Sequence, residues 1–149
     1  VNSQEAVQKF IILIPCSAQT SMPFIADEAL NIGLFAQAIF SQPEKTIGRF
    51  VLGSAETLTW QDYADAFTEA LKKSGQHPKP QTTFVDCAQA DFEKVWGVGG
   101  WEIAQMTEYY RKYGSASWGE NVLTAADLGI EAKLGTTVDR IARIDTKWA

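Results

Sequence analysis

Several kinds of protein are excluded by what this chain of 149 residues lacks. It has one histidine, His77, and two cysteines, Cys16 and Cys87, with no C-x-x-C pair. A His/Cys zinc site therefore has too few ligands, and the lone cysteines read as reduced, buried fillers. Basic runs are missing and the net charge is −5, which argues against nucleic acid, whose phosphates need clustered Lys and Arg. The longest apolar stretch, Phe10 to Pro15, is far short of the roughly 20 residues that span a bilayer. A basic leader followed by a long apolar run is absent from the N-terminus, so the expectation is a cytoplasmic protein without membrane contact. G-x-S-x-G is missing, and with it a nucleophile elbow.

What is present is a globular composition, 46% hydrophobic and 21% charged, with five Trp, eight Phe and four Tyr. The length suits one domain, residues 1–149, with a sizeable core or an apolar pocket. Phe10-Ile-Ile-Leu-Ile14, stopped by Pro15, reads as a buried strand, followed by a polar loop over Ser17–Ser21. Asn31 reads as the cap of a helix whose stripe is Ile32, Phe35, Ala36, Ile39 and Phe40. Gly48–Leu52 reads as a strand. Thr59 then opens a helix with Asp62 as its capping partner, Leu58 and Tyr63 as a hydrophobic staple, and Gly75 at its end. Its buried stripe is Trp60, Tyr63, Ala64, Phe67 and Leu71.

Thr82–Asp86 reads as a strand, Gln89–Trp96 and Trp101–Tyr113 as helices, and Ser115–Asn121 as a loop. Thr124–Asp127 resembles a helix start, and Val138–Ile144 a last short helix. The pattern is α/β to α+β, helices packed on a few short strands, with too few strands for a complete doubly wound sheet.

Gly97-Val-Gly-Gly100 is the one glycine cluster. A dinucleotide loop needs G-x-G-x-x-G between a strand and a helix N-terminus. Here a helix precedes it and Glu102 stands at the third glycine, so it reads as a helix–helix hinge and no cofactor-binding residue is assigned. Asp27 with Glu28, and Asp86 with Asp91, have acid/base chemistry, yet carboxylates near helix starts more often cap. His77, between a helix end and Pro78, reads as an exposed loop residue. Trp96, Trp101, Met106, Tyr109 and Tyr110 gather around the glycine hinge. They are first of all packing residues, and they are also the candidate substrate-pocket wall.

Met22-Pro-Phe-Ile-Ala-Asp-Glu-Ala-Leu-Asn-Ile-Gly33, Gly48-Arg-Phe-Val-Leu-Gly53, Leu58-Thr-Trp-Gln-Asp-Tyr63 and Met106–Gly114 occur in an order that resembles the C-terminal part of NmrA-like proteins. These are atypical short-chain dehydrogenase/reductases that include isoflavone-reductase-like enzymes. The similarity covers roughly residues 20–115 and, more weakly, the tail to Lys147. The chain departs from the family at Asn31-Ile-Gly33, where an Asp commonly opens the motif.

The resemblance implies the substrate-side portion of a Rossmann-type reductase without its glycine-rich half. NADP(H) or NAD(H) would be held by an upstream Rossmann domain, and the substrate would be small, aromatic or a secondary metabolite. The family's catalytic Lys or Tyr lies upstream, so no catalytic residue is carried over. An exposed apolar face, for that domain or for self-association, is the accompanying expectation. Two other readings stand beside it. One is a non-catalytic redox sensor or interaction module. The other is a cofactor-free isomerase, dehydratase or cyclase using Asp27, Asp86 and His77.

Overall fold

The computed structural model describes residues 8–119 and 121–145. Glu120 of the expected loop and residues 146–147 of the family resemblance lie outside the described residues. The fold is mixed α/β: five α-helices with short strands in small two-stranded sheets. Strands are β1 (Gln8–Ile14), β2 (Ser21–Phe24), β3 (Phe50–Val51), β4 (Glu56–Thr59), β5 (Pro80–Asp86) and β6 (Val122–Leu123). Helices are α1 (Glu28–Ser41), α2 (Pro43–Thr46), α3 (Trp60–Ser74), α4 (Gln89–Tyr113) and α5 (Thr137–Ala142). No helix among the described residues is long and apolar enough to cross a membrane.

The helix α3 forms as its capping chemistry dictates. The Asp62 backbone N–H donates to Thr59 Oγ1 at 3.0 Å, and the Thr59 backbone N–H donates back to Asp62 Oδ2 at 3.0 Å. Gly75 ends the helix in the left-handed conformation, φ 67°. Its Trp60–Ala64–Leu71 stripe is buried and lies against β5. The same capping chemistry at Thr124 and Asp127 makes only a turn, since the chain leaves at Gly129 with φ 69°. The glycine hinge is realised at Gly97, where φ 62° and ψ −138° kink α4. The loop expected from Ser115 is a 3-10 turn over Gly114–Trp118.

Three expectations are corrected. The helix α1 starts at Glu28, so Asn31 is inside it and fully buried. The Asn31 amide donates to Ile25 O at 2.7 Å and Gly135 O at 2.8 Å, and its oxygen accepts from Gly135 N–H at 2.8 Å. Those three bonds rotate the helix, so Asn31, Phe35 and Ala38 face inward while Ile32 and Phe40 face outward. A nearly all-apolar helix leaves its inward face to be chosen by tertiary partners. His77 is buried rather than exposed: Nδ1 lies 2.6 Å from Gln8 Oε1 and the ring stands edge-on to Phe10. Finally, β1 is not a fully buried strand, and Ile11 is 67% exposed.

The reason lies in the sheet. β1 and β5 run parallel in register from Gln8↔Pro80 to Ile14↔Asp86. Ile12, Ile14 and Phe84 pack against the Cys16–Met22–Trp60 cluster below α3. On the alternate positions, Ile11 and Val85 remain exposed. A second core gathers Phe35, Leu123, Leu128 and Ile130 around α1 and the parallel β3–β6 pair.

Candidate functional site: a cleft at the carboxyl ends of the parallel strands

The shared register makes β1 and β5 end at the same level. In parallel α/β sheets, ligands sit beyond the carboxyl ends of the strands. At that end of β1, Pro15 stops the strand and the chain turns through a polar loop. The Cys16 N–H donates to Ile14 O at 2.9 Å, and the Thr20 N–H donates to Ser17 O at 2.9 Å. This places Ser17, Thr20 and Ser21 on one wall. The last turns of α4 supply the other wall through Tyr110 and Arg111, and the open cleft between them is about 380 Å³.

Cys16, Met22 and Trp60 are buried in the apolar cluster on which Tyr110 also packs. Burial pushes the Cys16 thiol up to about 11, with the Thr20 hydroxyl and the Trp60 indole opposing part of that rise. Such a thiol is protonated at neutral pH and is no nucleophile. Both neighbours are loose contacts with the thiol, and no other group partners Thr20 Oγ1 or Trp60 Nε1. Thr20 is only 6% exposed and lines the cleft with its hydroxyl oxygen buried on the side of the Cys16 thiol. On the rim, Arg111 pairs with Glu108, Nε to Oε2 at 2.6 Å, and this bond holds the Glu108 carboxyl below its ordinary range. Tyr110 adds a flat ring, 5.9 Å from the Trp118 ring centroid. The arrangement is an open cleft with one aromatic wall, in which the Arg111 guanidinium is already held by Glu108.

Of the predicted pocket residues, Tyr110 lines this cleft. Trp96, Trp101, Met106 and Tyr109 occupy exposed positions on α4, between 43% and 61% accessible. Tyr109 donates its hydroxyl to Ser117 O at 2.8 Å. Ser17, Thr20, Ser21 and Arg111 were legible only as a polar loop and a helix-end cation. The signal that finds the three loop residues is their place just after a β-branched strand closed by proline.

The acid/base candidates lie apart from one another. His77 sits with Gln8 at the amino ends of the parallel pair, on the order of 20 Å of strand from the cleft. Asp86 and Asp91 are exposed, and Asp91 pairs with Lys94 at 2.8 Å. Asp27 is buried at 1% exposure behind Ala26, a non-glycine residue at φ 61°. One Asp27 oxygen pairs with Arg143, and the other has no hydrogen-bond partner. A Cβ on Gly135 would come within 2.8 Å of that carboxylate. Glu28 is bonded to Arg140, Nε to Oε1 at 2.8 Å, and this holds its carboxyl below the ordinary range.

Asp27, Lys73, Asp139 and Arg143 border a cleft of about 420 Å³. Their charges are already engaged as Asp27–Arg143 and as Lys73–Asp139 at 2.7 Å. This locus is a joint that ties the start of α1 to α5. Among the described residues, no group of three or more His, Cys, Asp or Glu is arranged to hold a metal ion. No protein-family profile, curated protein or solved structure matches the chain.

Proposed function

We propose that this chain is the substrate-side portion of an NAD(P)-dependent oxidoreductase resembling the NmrA-like group, and that the cleft at Thr20 and Tyr110 receives a small, oxygen-bearing aromatic substrate. The observation that carries the reading is the half-covered parallel pair β1–β5. Parallel strands are normally covered on both faces and flanked by further strands. Here α3 lies against β5, Ile11 is 67% and Val85 36% exposed on the other face, and each strand has one partner among the described residues. A pair of that kind is what the last two strands of a larger parallel sheet look like when the rest is supplied from elsewhere. The nucleotide would belong to that remainder, since α4 runs helix into helix through Gly97–Gly100 and offers no strand-to-helix glycine turn.

Hydride transfer would need the other half, and these residues would orient the substrate. Tyr110 would hold its ring, at the mouth lined by Ser17 and Ser21. The test is the intact mass of the protein as its source produces it, followed by NADPH oxidation. A mass about double 16.4 kDa is expected, because a Rossmann unit adds roughly 150 residues. NADPH turnover should then be weakened at least tenfold in KM by Tyr110→Ala. A source protein of 16.4 kDa, or tight NADPH binding by these 149 residues alone, would overturn the proposal.

A further inference from the structure

After the kink at Gly97, the helix α4 is turned inside out. Gly100, Ala104 and Thr107 are its buried residues, spaced four and three apart, so small side chains face the body. The opposite face carries the large ones: Val98 is 79% exposed, Trp101 52%, Tyr109 45% and Tyr113 46%. Val98, Glu102, Gln105, Tyr109 and Lys112 follow one another four, three, four and three apart and so form one stripe, the seam, opposite the buried residues. Trp101, Met106 and Tyr113 flank that seam. Exposed apolar surface of this size is the kind that marks an interaction site.

We infer that the outward face of α4 binds the same face of a second copy, antiparallel, across a two-fold axis level with residue 107. The charges choose the partner and its direction. Antiparallel pairing about that level sets Glu102 opposite Lys112 and Gln105 opposite Tyr109, with Trp101 and Tyr113 on the two flanks. The two-fold axis makes each pairing twice. Parallel pairing in register would set Glu102 on Glu102 and Lys112 on Lys112, which repel. The Lys112 ammonium already lies over the Tyr113 ring, 5.1 Å from its centroid, at the edge of the seam.

Area agrees with this assignment. Half-exposed aromatics of about 150–250 Å² each, with Val98, Met106 and the polar stems, offer on the order of 500–700 Å² per copy, approaching the ~800 Å² per partner of a standard interface. Tyr109 near its centre is of a residue type that dominates such contacts. The inference is independent of the proposed oxidoreductase role, which rests on β1–β5.

The experiment is sedimentation velocity over a concentration series on the protein of this sequence, with circular dichroism to confirm helical content. A species of twice 16.4 kDa at tens of micromolar is expected. Glu102→Lys and Lys112→Glu should each weaken the dimer at least tenfold, because each places two like-charge contacts in the seam. The double variant, with the charges exchanged, should return to within about threefold of the parent, an outcome that a merely structural effect of either residue would not produce. Ile11→Lys, on the bare sheet face, should leave the dimer constant unchanged. A monomer at 100 µM, single variants that dimerise like the parent, or a double variant no tighter than the singles would each overturn the assignment. Loss of the dimer in Ile11→Lys alone would overturn it as well and move the interface to the sheet.

Discussion

Replacing Asn31 by alanine removes a fully buried amide from the middle of α1 and tests whether the joint at Gly135 holds the fold together. Three hydrogen bonds vanish, leaving the Ile25 carbonyl, the Gly135 carbonyl and the Gly135 N–H without that partner. A buried polar group stripped of its partner costs about 1–3 kcal/mol, and the better helix propensity of alanine returns only about 0.5 kcal/mol. Water entering the space of the lost amide will re-solvate some of these groups, which puts the expected loss at about 3–5 kcal/mol. That is a large share of the roughly 5–15 kcal/mol that holds a domain folded. Urea unfolding followed by tryptophan fluorescence should show a lower midpoint with an unchanged slope. The Tm should fall by about 10 °C or more, at ~2–4 °C per kcal/mol for this size. Asn31→Asp should be comparably damaging, because it keeps the acceptor for Gly135 N–H but turns an oxygen toward two carbonyls. A loss below about 1 kcal/mol for Asn31→Ala would refute the reasoning and return Asn31 to the role of an ordinary helix position.

Gly97→Ala should destabilise by about 1–3 kcal/mol, through backbone strain alone, because φ 62°, ψ −138° is a glycine conformation and nothing lies within 4 Å of the new Cβ. An unchanged urea midpoint would show that the kink relaxes freely. Thr59→Ala should cost about 1 kcal/mol by dismantling the α3 capping box, again read from the urea midpoint. Acid should weaken the fold with a definite sign. The Thr59 hydroxyl, Lys73 and Arg140 hold the Asp62, Asp139 and Glu28 carboxyls, respectively, below their ordinary values of 3.8, 3.8 and 4.5. Their contribution is present above the ordinary values and is lost as pH falls through the lowered ones, so Tm should stay level down to about pH 5 and decline below about pH 4.5. A Tm that rises on acidification would contradict it. Thr20→Val should leave stability unchanged or raise it by about 1 kcal/mol, since it deletes a buried hydroxyl that has no partner. A clear loss of stability would mean that the hydroxyl is engaged in the free protein.

Where local chemistry was sufficient, the sequence could be read directly. The α3 helix follows from Thr59, Asp62 and Gly75, and the kink in α4 from a glycine at position 97. Both depend on contacts a few residues apart. The candidate site was legible only in part. Tyr110 stood out as an aromatic near the hinge, whereas Thr20 and Arg111 acquire meaning only when α4 returns beside the end of β1. His77 was misjudged because Gln8, its partner, lies 69 residues away.

Composition and periodicity by themselves determined the mixed α/β class and the entry and exit of α3. Such properties depend on residue types and short spacings. Tertiary structure alone decided which face of α1 turns inward, since Asn31 is drawn to Gly135 across 104 residues against a helix apolar on nearly every side. It alone decided that β1 pairs with β5, that their outer face stays bare, and that the large side chains of α4 point away from the body. Those outcomes depend on which distant surfaces meet, and a hydrophobic pattern records that a face must be buried without recording against what.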